Sequence, residues 1–469
     1  MKRKTSVVAF AVLSSSLLAC WGGSRPSGGD GSPGPGGDGS SQGGGSTSEG
    51  GGTYCAEPND TTGNLNPVEP GAADVAELTF TEATVAFEST EDILSVEQPN
   101  QTYRFKKTST QAQALKPGSI LFIHETALRK VSRVHVTDDE IVAETEEATL
   151  NELIRDGVLQ WTTDVHFGPN SWVQLQVGNK TYEIQRSVHE EYDGQDTQKK
   201  FEISYDGWDF EMVLKPEAGG STWFAFEAKQ GAGAGPLRAR FKAEGRLCRF
   251  TASNRMEYRN SQLVSFSNYN ANTKADLTLS MAFTTPPSRF EGEIPRPPAM
   301  GEAPGVRPFA FWTFPARIGP IPVNLRVRIY FLYFGYVPAF GTAHALAHFK
   351  YESDLGFQYT GGDVLVQGVP RRLGVESEDF GLSTPASLAW GFGIPQLELS
   401  VFGVPVIPWI RNAVWLQHDL TFVPICNKLT ANWAGAVGYH LSILGVQATG
   451  IKNLWMREES ILRQEACRD

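Results

Sequence analysis

Two five-residue runs constrain this chain more than any other feature. Phe201-Glu-Ile-Ser-Tyr205 and Trp208-Asp-Phe-Glu-Met212 alternate apolar and polar side chains, and Asp206-Gly207 separates them. A period of two marks a half-buried strand. Asp-Gly between two such runs is a type I′ hairpin signal. A two-residue loop pairs Tyr205 with Trp208, Ile203 with Phe210 and Phe201 with Met212. All six then share one face, so turn chemistry and hydrophobic pattern demand the same register.

The period recurs along the chain. Ile120–His124, Ser132–Val136 and Ile141–Thr145 read as short strands, the last two separated by an Asp138-Asp139 turn. Leu237, Ala239, Phe241 and Ala243 share a face opposite Arg238, Arg240, Lys242 and Glu244. Parity becomes untidy after Gly245, which predicts a bulge or bend there. Ile321-Pro322 leads into alternating Leu325, Val327 and Ile329, and Ile394-Pro395 leads into Leu397, Leu399 and Val401. So generic an echo predicts two similar strands of one sandwich or barrel rather than a repeat architecture. One helix interrupts the strands. Thr149 and Glu152 form a capping-box pattern, Leu150, Leu153 and Ile154 share a face, and Gly157 follows as a stop. The expected fold is mainly β, an antiparallel sandwich or barrel-like sheets with one or few short helices.

Residues 22–53 are almost entirely Gly, Ser, Asp and Pro, with no large apolar side chain. Such a stretch cannot bury enough surface to offset its ordering entropy. It predicts a disordered Gly/Ser-rich tether with a reach of roughly 30 Å. Gly34-x-Gly36-x-x-Gly39 and Gly39-Ser40-Ser41-Gln42-Gly43 mimic a dinucleotide fingerprint and a nucleophile elbow. Both motifs need a strand-to-helix context that a tether lacks. Further on, the Pro-rich residues 286–308 predict a boundary. The expected organisation is a β-rich domain with one short helix over 54–285, a Pro-rich linker or long loop over 286–309, and an aromatic-rich β domain over 310–469.

At the amino terminus, Lys2, Arg3 and Lys4 precede an apolar stretch from Val7 to Leu13, and Leu17-Leu18-Ala19-Cys20 closes the segment. This reads as a secretory signal over residues 1–19. Its apolar core is far shorter than the roughly 20 residues a spanning helix needs. Leu17-Leu18-Ala19-Cys20 resembles the lipobox of bacterial lipoproteins. The resemblance implies that Cys20 becomes the first mature residue, carries acyl chains, and places the protein in the bacterial cell envelope. In enteric bacteria an Asp after that cysteine favours inner-membrane retention. Trp21 stands there instead, which implies the outer membrane or cell surface. Residues 1–19 hold three of the 41 basic side chains and none of the 52 acidic ones, so their removal takes the formal charge from −11 to −14. A globally acidic chain is a poor partner for nucleic acid.

Besides Cys20 there are four cysteines, Cys55, Cys248, Cys426 and Cys467. An even count in an exported chain predicts two disulfides, and four cysteines allow three connectivities. Without CxxC spacing they do not point to structural zinc.

Three clusters carry candidate chemistry. The hairpin register sets Glu202 opposite Glu211 with Asp209 beside them, and cross-strand Cβ atoms lie about 5 Å apart. Such a pair could hold calcium or act as acid and nucleophile in a retaining glycosidase; the alternative is a solvated strand face. His344, His348 and Glu352 recur every four residues. On a helix they would converge on a metal. On a strand they stand roughly 13 Å apart per step, too far for one ion. The flanking β pattern favours the strand. Finally, Arg238, Arg240 and Lys242, followed by Arg246, Arg249, Arg255 and Arg259, form a basic strip that is either an anion-binding site or the wet face of an edge ribbon.

Trp390, Trp409, Trp415, Trp433 and Trp455 crowd the last eighty residues, where burial is the default and stacking on sugars the alternative. No cofactor is expected. These features favour a lipid-anchored envelope protein with a non-enzymatic binding or adhesion role, its partner a polysaccharide, an envelope component or a protein. The alternatives are an extracellular polysaccharide hydrolase using paired carboxylates, or a carrier of lipid or another apolar ligand.

Overall fold

A computed structural model describes residues 55, 74–97, 101–167, 173–177, 180–183, 199–205, 208–230, 238–285, 309–336, 341–382, 386–422 and 425–463. The signal segment, Cys20, the tether, the Asp206-Gly207 turn, residues 286–308 and Cys467 lie outside them. The architecture is mainly β, with curled antiparallel sheets forming a half-barrel and two short α-helices.

A small sheet of six strands takes its members from Thr84–Phe87, Ile120–Ile123, Ala127–Val136, Glu140–Glu147, Thr102–Lys106 and Ile93–Glu97, in that spatial order. Its own core contains Phe87, Tyr103, Phe105, Leu121, Ile123, Val131 and Ile141. The expected capping box follows it. The Thr149 backbone N–H donates to Glu152 Oε2 at 3.0 Å, above a helix of four residues, Leu150–Leu153. Gly157 does not stop that helix. The chain is already extended from Ile154, and Gly157 sits inside Ile154–Val165 with φ 151°. A Cβ there would overlap the carbonyl oxygen of Glu77 on the paired strand Val75–Phe80, so close approach, not helix termination, requires glycine.

Two large sheets form the main body. One runs Val75–Phe80, Ile154–Val165, Phe250–Arg259, Gln262–Thr285, Arg238–Leu247, Thr222–Gln230, Trp208–Pro216 and Lys199–Tyr205, with Gly341–Thr360 and Asp363–Leu382 joined to the other side of Gln262–Thr285. The second runs Lys180–Glu183, Val173–Val177, Phe309–Ile318, Ile321–Tyr336, Ala386–Val401, Val404–Phe422, Ile425–His440 and Thr449–Arg463. The hairpin has the expected register, with Tyr205 opposite Trp208, Ile203 opposite Phe210 and Phe201 opposite Met212. Trp208, Phe210 and Met212 are buried. The two echo strands are antiparallel neighbours, pairing Val323 with Val401, Leu325 with Leu399 and Val327 with Leu397.

The boundary expected at 286–309 does not separate two folding units. Gln262–Thr285, before it, pairs along its length with Gly341–Thr360, after it, and Val173–Val177 pairs with Phe309–Ile318. One core spans both sheets. Its facing aromatics touch as Phe226–Phe392 (5.2 Å between ring centroids), Phe241–Trp390 (5.5 Å) and Phe349–Trp433 (5.7 Å). Each large apolar side chain so buried contributes roughly 1.5–3 kcal/mol. Separating the halves would expose all of them. Of the bulge or bend expected after Gly245, no bulge falls within Arg238–Leu247, whose two pairings run without a shift; the strand ends two residues on, at Leu247, and the chain resumes as Phe250–Arg259. Gly245 is needed because a Cβ would overlap the Asp276 carbonyl oxygen of the next strand.

Candidate functional site

The outward face of the first large sheet carries most of the polar groups singled out in the sequence. Alternation turns Phe210, Met212, Phe226, Ala228, Phe241 and Ala243 inward, which leaves Glu202, Asp209, Glu211, Glu227, Arg240 and Lys242 on the other face. Registry sets Glu202 opposite Glu211, Glu211 opposite Glu227, and Glu227 opposite Lys242. A shallow depression of about 270 Å³ lies over this row, lined by Glu202, Ser204, Asp209, Glu211, Glu227 and Lys229.

Lys200 decides what the carboxylate pair can do. Its ammonium stands 2.7 Å from Glu202 and 3.1 Å from Glu211. The Lys200 hydrogen bond and charge hold the Glu202 carboxyl below its ordinary value, and both carboxylates raise Lys200 in return. A general acid in a glycosidase needs the opposite shift. Asp209 accepts from the Ser204 hydroxyl at 2.6 Å. Both carboxylates are ion-paired on the sheet surface, and Glu202 is held away from the protonated form that a donor needs.

The basic strip is neutralised in the same manner. Arg240 grips Glu227 with two hydrogen bonds of 3.1 and 2.9 Å, Lys242 pairs with Glu244, Arg246 with Glu217, Arg249 with Asp164, and Arg255 and Arg259 with Glu257. Arg238 is placed opposite Thr284, and its side chain lies outside the described residues.

His344, His348 and Glu352 occupy one strand, as the flanking pattern demanded, and do not converge. His348 contacts Asp276, Glu352 lies 3.9 Å from the buried Lys274, and His344 is solvent-exposed. Among the described residues no group of three or more His, Cys, Asp or Glu side chains could hold a metal ion.

Cys55 and Cys248 form a disulfide spanning 193 positions, which settles the partner of Cys55 among the three connectivities. Cys426 is also disulfide-bonded. Of the tryptophans, Trp390 and Trp433 are fully buried, whereas Trp409, Trp415 and Trp455 are half-buried. The Arg411 guanidinium stacks 4.8 Å over Trp409.

One cluster escaped the sequence reading. On the outward face of the second sheet Glu398 is buried between Arg326, 3.0 Å away, and Arg328. Burial lowers the Arg328 guanidinium from its ordinary value while Glu398 works against that shift. The signal lay in the polar half of the echo. Arg326 and Arg328 alternate with Leu325, Val327 and Ile329, and Glu398 sits between Leu397 and Leu399. Pairing the two apolar runs would have set Arg326 opposite Glu398.

Residues 70–156 match the model of a domain of unknown function, DUF8403; the match covers the small sheet together with Val75–Phe80 and the Leu150–Leu153 helix. Comparison with curated proteins and with solved structures gives no match.

Proposed function

We propose that this chain is a lipid-anchored protein of the bacterial cell envelope whose sheets bind an envelope component, a matrix polymer or a protein without catalysing a reaction. The observation that carries the anchor is Leu17-Leu18-Ala19-Cys20 followed by the Gly- and Ser-rich residues 22–53. More than one acyl chain on Cys20 gives stable membrane attachment. The non-enzymatic part rests on Lys200, whose ammonium pairs with both Glu202 and Glu211 on an open face and holds the Glu202 carboxyl below its ordinary value. The contacts among Phe226, Phe392, Phe241 and Trp390 speak against the carrier reading, which needs an apolar cavity at that level of the core.

Cys20→Ala tests the anchor. The native chain partitions into the membrane fraction with an acyl mass on its first mature residue, and the variant loses both. A native chain that is soluble and unacylated refutes the reading. Incubation with envelope polysaccharides then separates binding from hydrolysis. Retention without new reducing ends supports the proposal, and reducing ends lost in Glu202→Gln or Glu211→Gln would install the hydrolase in its place.

A further inference from the structure

Of the buried asparagines, two on facing sheets leave amide atoms without a hydrogen-bond partner. Asn412 lies on Val404–Phe422 between the inward-facing Ile410 and Val414, is 1 % exposed, and neither atom of its amide meets a hydrogen-bond partner among the described residues. Asn270, fully buried on Gln262–Thr285, donates from Nδ2 to Asn268 Oδ1 at 2.8 Å but leaves its own Oδ1 unbonded. Thr273, the next inward residue on that strand, is equally buried and its hydroxyl unbonded.

Both asparagines sit at bulges. Gln262–Thr285 shifts register against Gly341–Thr360 between Asn270 and Thr273, where Asn272 takes a φ of 59°. Ala386–Val401 shifts against Val404–Phe422 between Gly393 and Gln396, so Asn412 faces the extra residues of its neighbour. A bulge re-aims a side chain, and bulges gather beside functional sites.

Registry within each sheet, joined by one side-chain contact between the sheets, links the two positions. Asn270 pairs with Leu355, and Leu355 with Gly368; Asn412 pairs with Gly435, and Gly435 with Trp455. The Trp455 indole closes the series by packing against both Gly368 and Gly435, and its Nε1–H is also unbonded. The ring contacts Phe349–Trp433 (5.7 Å) and Phe357–Tyr439 (5.5 Å) bracket Leu355 and Gly435 along their strands.

A buried amide without partners is costly, and nearly all such groups in folded proteins find one. The unbonded atoms here are two amide oxygens, an amide nitrogen, a hydroxyl and an indole N–H. The set mixes donors and acceptors and carries no charge, which fits neither a bare cation nor an anion. A hydroxyl group, which donates and accepts at once, satisfies both kinds. The geometry points to a built-in binding layer for neutral hydroxyl groups between Asn270, Thr273 and Asn412, walled by Trp455 and occupied by ordered water or by the hydroxyls of a small sugar. It is independent of the surface role proposed above.

The test is thermal unfolding of the full mature chain and of Asn412→Leu and Thr273→Val, which keep volume and remove hydrogen bonding. If hydroxyl groups satisfy the layer, each change strands them and lowers Tm by roughly 2–4 °C. If nothing satisfies it, the apolar side chains relieve a penalty; Tm unchanged or raised in both variants overturns the proposal. Should Asn412→Leu not fold, the Tm of Thr273→Val alone decides between these outcomes. D-glucose as a probe separates the sources. A Tm increase in the native chain that the variants lose assigns sugar hydroxyls, and lowered variant Tm without any response to glucose assigns water.

Discussion

The indole of Trp455 occupies the place where Gly368 would carry a side chain. A Cβ on Gly368 would overlap Cζ3 of that ring, and one on Gly435 would lie 2.6 Å from its Cζ2. Trp455 thus joins the rims of the two large sheets by filling one notch on each. We expect Gly368→Ala and Gly435→Ala each to destabilise the fold by about 1–3 kcal/mol through overpacking. Combining either with Trp455→Leu should recover part of the loss, and denaturant titration of these four variants and of Trp455→Leu alone measures it. Strict additivity would contradict the shared notch.

Lys200 predicts the behaviour of the carboxylate hairpin. Because its ammonium depresses Glu202 from 4.5, the pair's contribution is present above that value and fades as pH falls through the lower folded one. Lys200→Met should move the Glu202 titration upward, as followed by carboxyl NMR. An unmoved Glu202 would mean that Lys200 is not its partner in solution.

His418 supplies a dependence at higher pH. It is fully buried on the core face, its Nε2 is 2.8 Å from Asn427 Oδ1, and burial pushes its imidazole below 6.5. The unfolded chain therefore takes up a proton before the folded one does. Stability is complete above about pH 6.5 and declines as pH falls toward the folded value. The urea midpoint should drop between pH 7.5 and 5.5 in the native chain and drop less in His418→Asn.

The Cys55–Cys248 bond closes a loop spanning 193 positions. In the chain-entropy account, removing a bond across so long a loop costs about 2–5 kcal/mol. Cys55→Ala/Cys248→Ala should lower Tm to match, and reductant should lower the native chain's Tm at least as far, since it also cleaves the bond at Cys426. Equal Tm for native and double variant would mean that the bond is dispensable.

Much of this architecture could be read locally. The 201–212 hairpin was legible because a two-residue turn and a period of two allow a single register. The echo strands were legible because their inward residues match in kind and spacing. What was not legible depends on distant neighbours. Gly157 and Gly245 look like a stop and a bulge until the carbonyls of Glu77 and Asp276 are seen pressed against them. Asn270 and Asn412 drew no reading, because a polar residue within a strand carries no local sign of the partners it lacks across the core. The Pro-rich stretch read as a border because strand pairing across it leaves no local trace.

That pairing also bears on how the molecule is made. The chain contributes Phe309–Ile318 and Ile321–Tyr336 to one sheet, crosses to the other for Gly341–Thr360 and Asp363–Leu382, and returns for Ala386–Val401 onward. Until residue 360 has been synthesised, the 24-residue strand Gln262–Thr285 presents one entire side with no partner from Gly341–Thr360. A naked strand edge of that length invites pairing with other chains. An N-terminal fragment ending at the Pro-rich stretch is therefore expected to aggregate through that edge, and the full chain to escape this once Gly341–Thr360 has covered it.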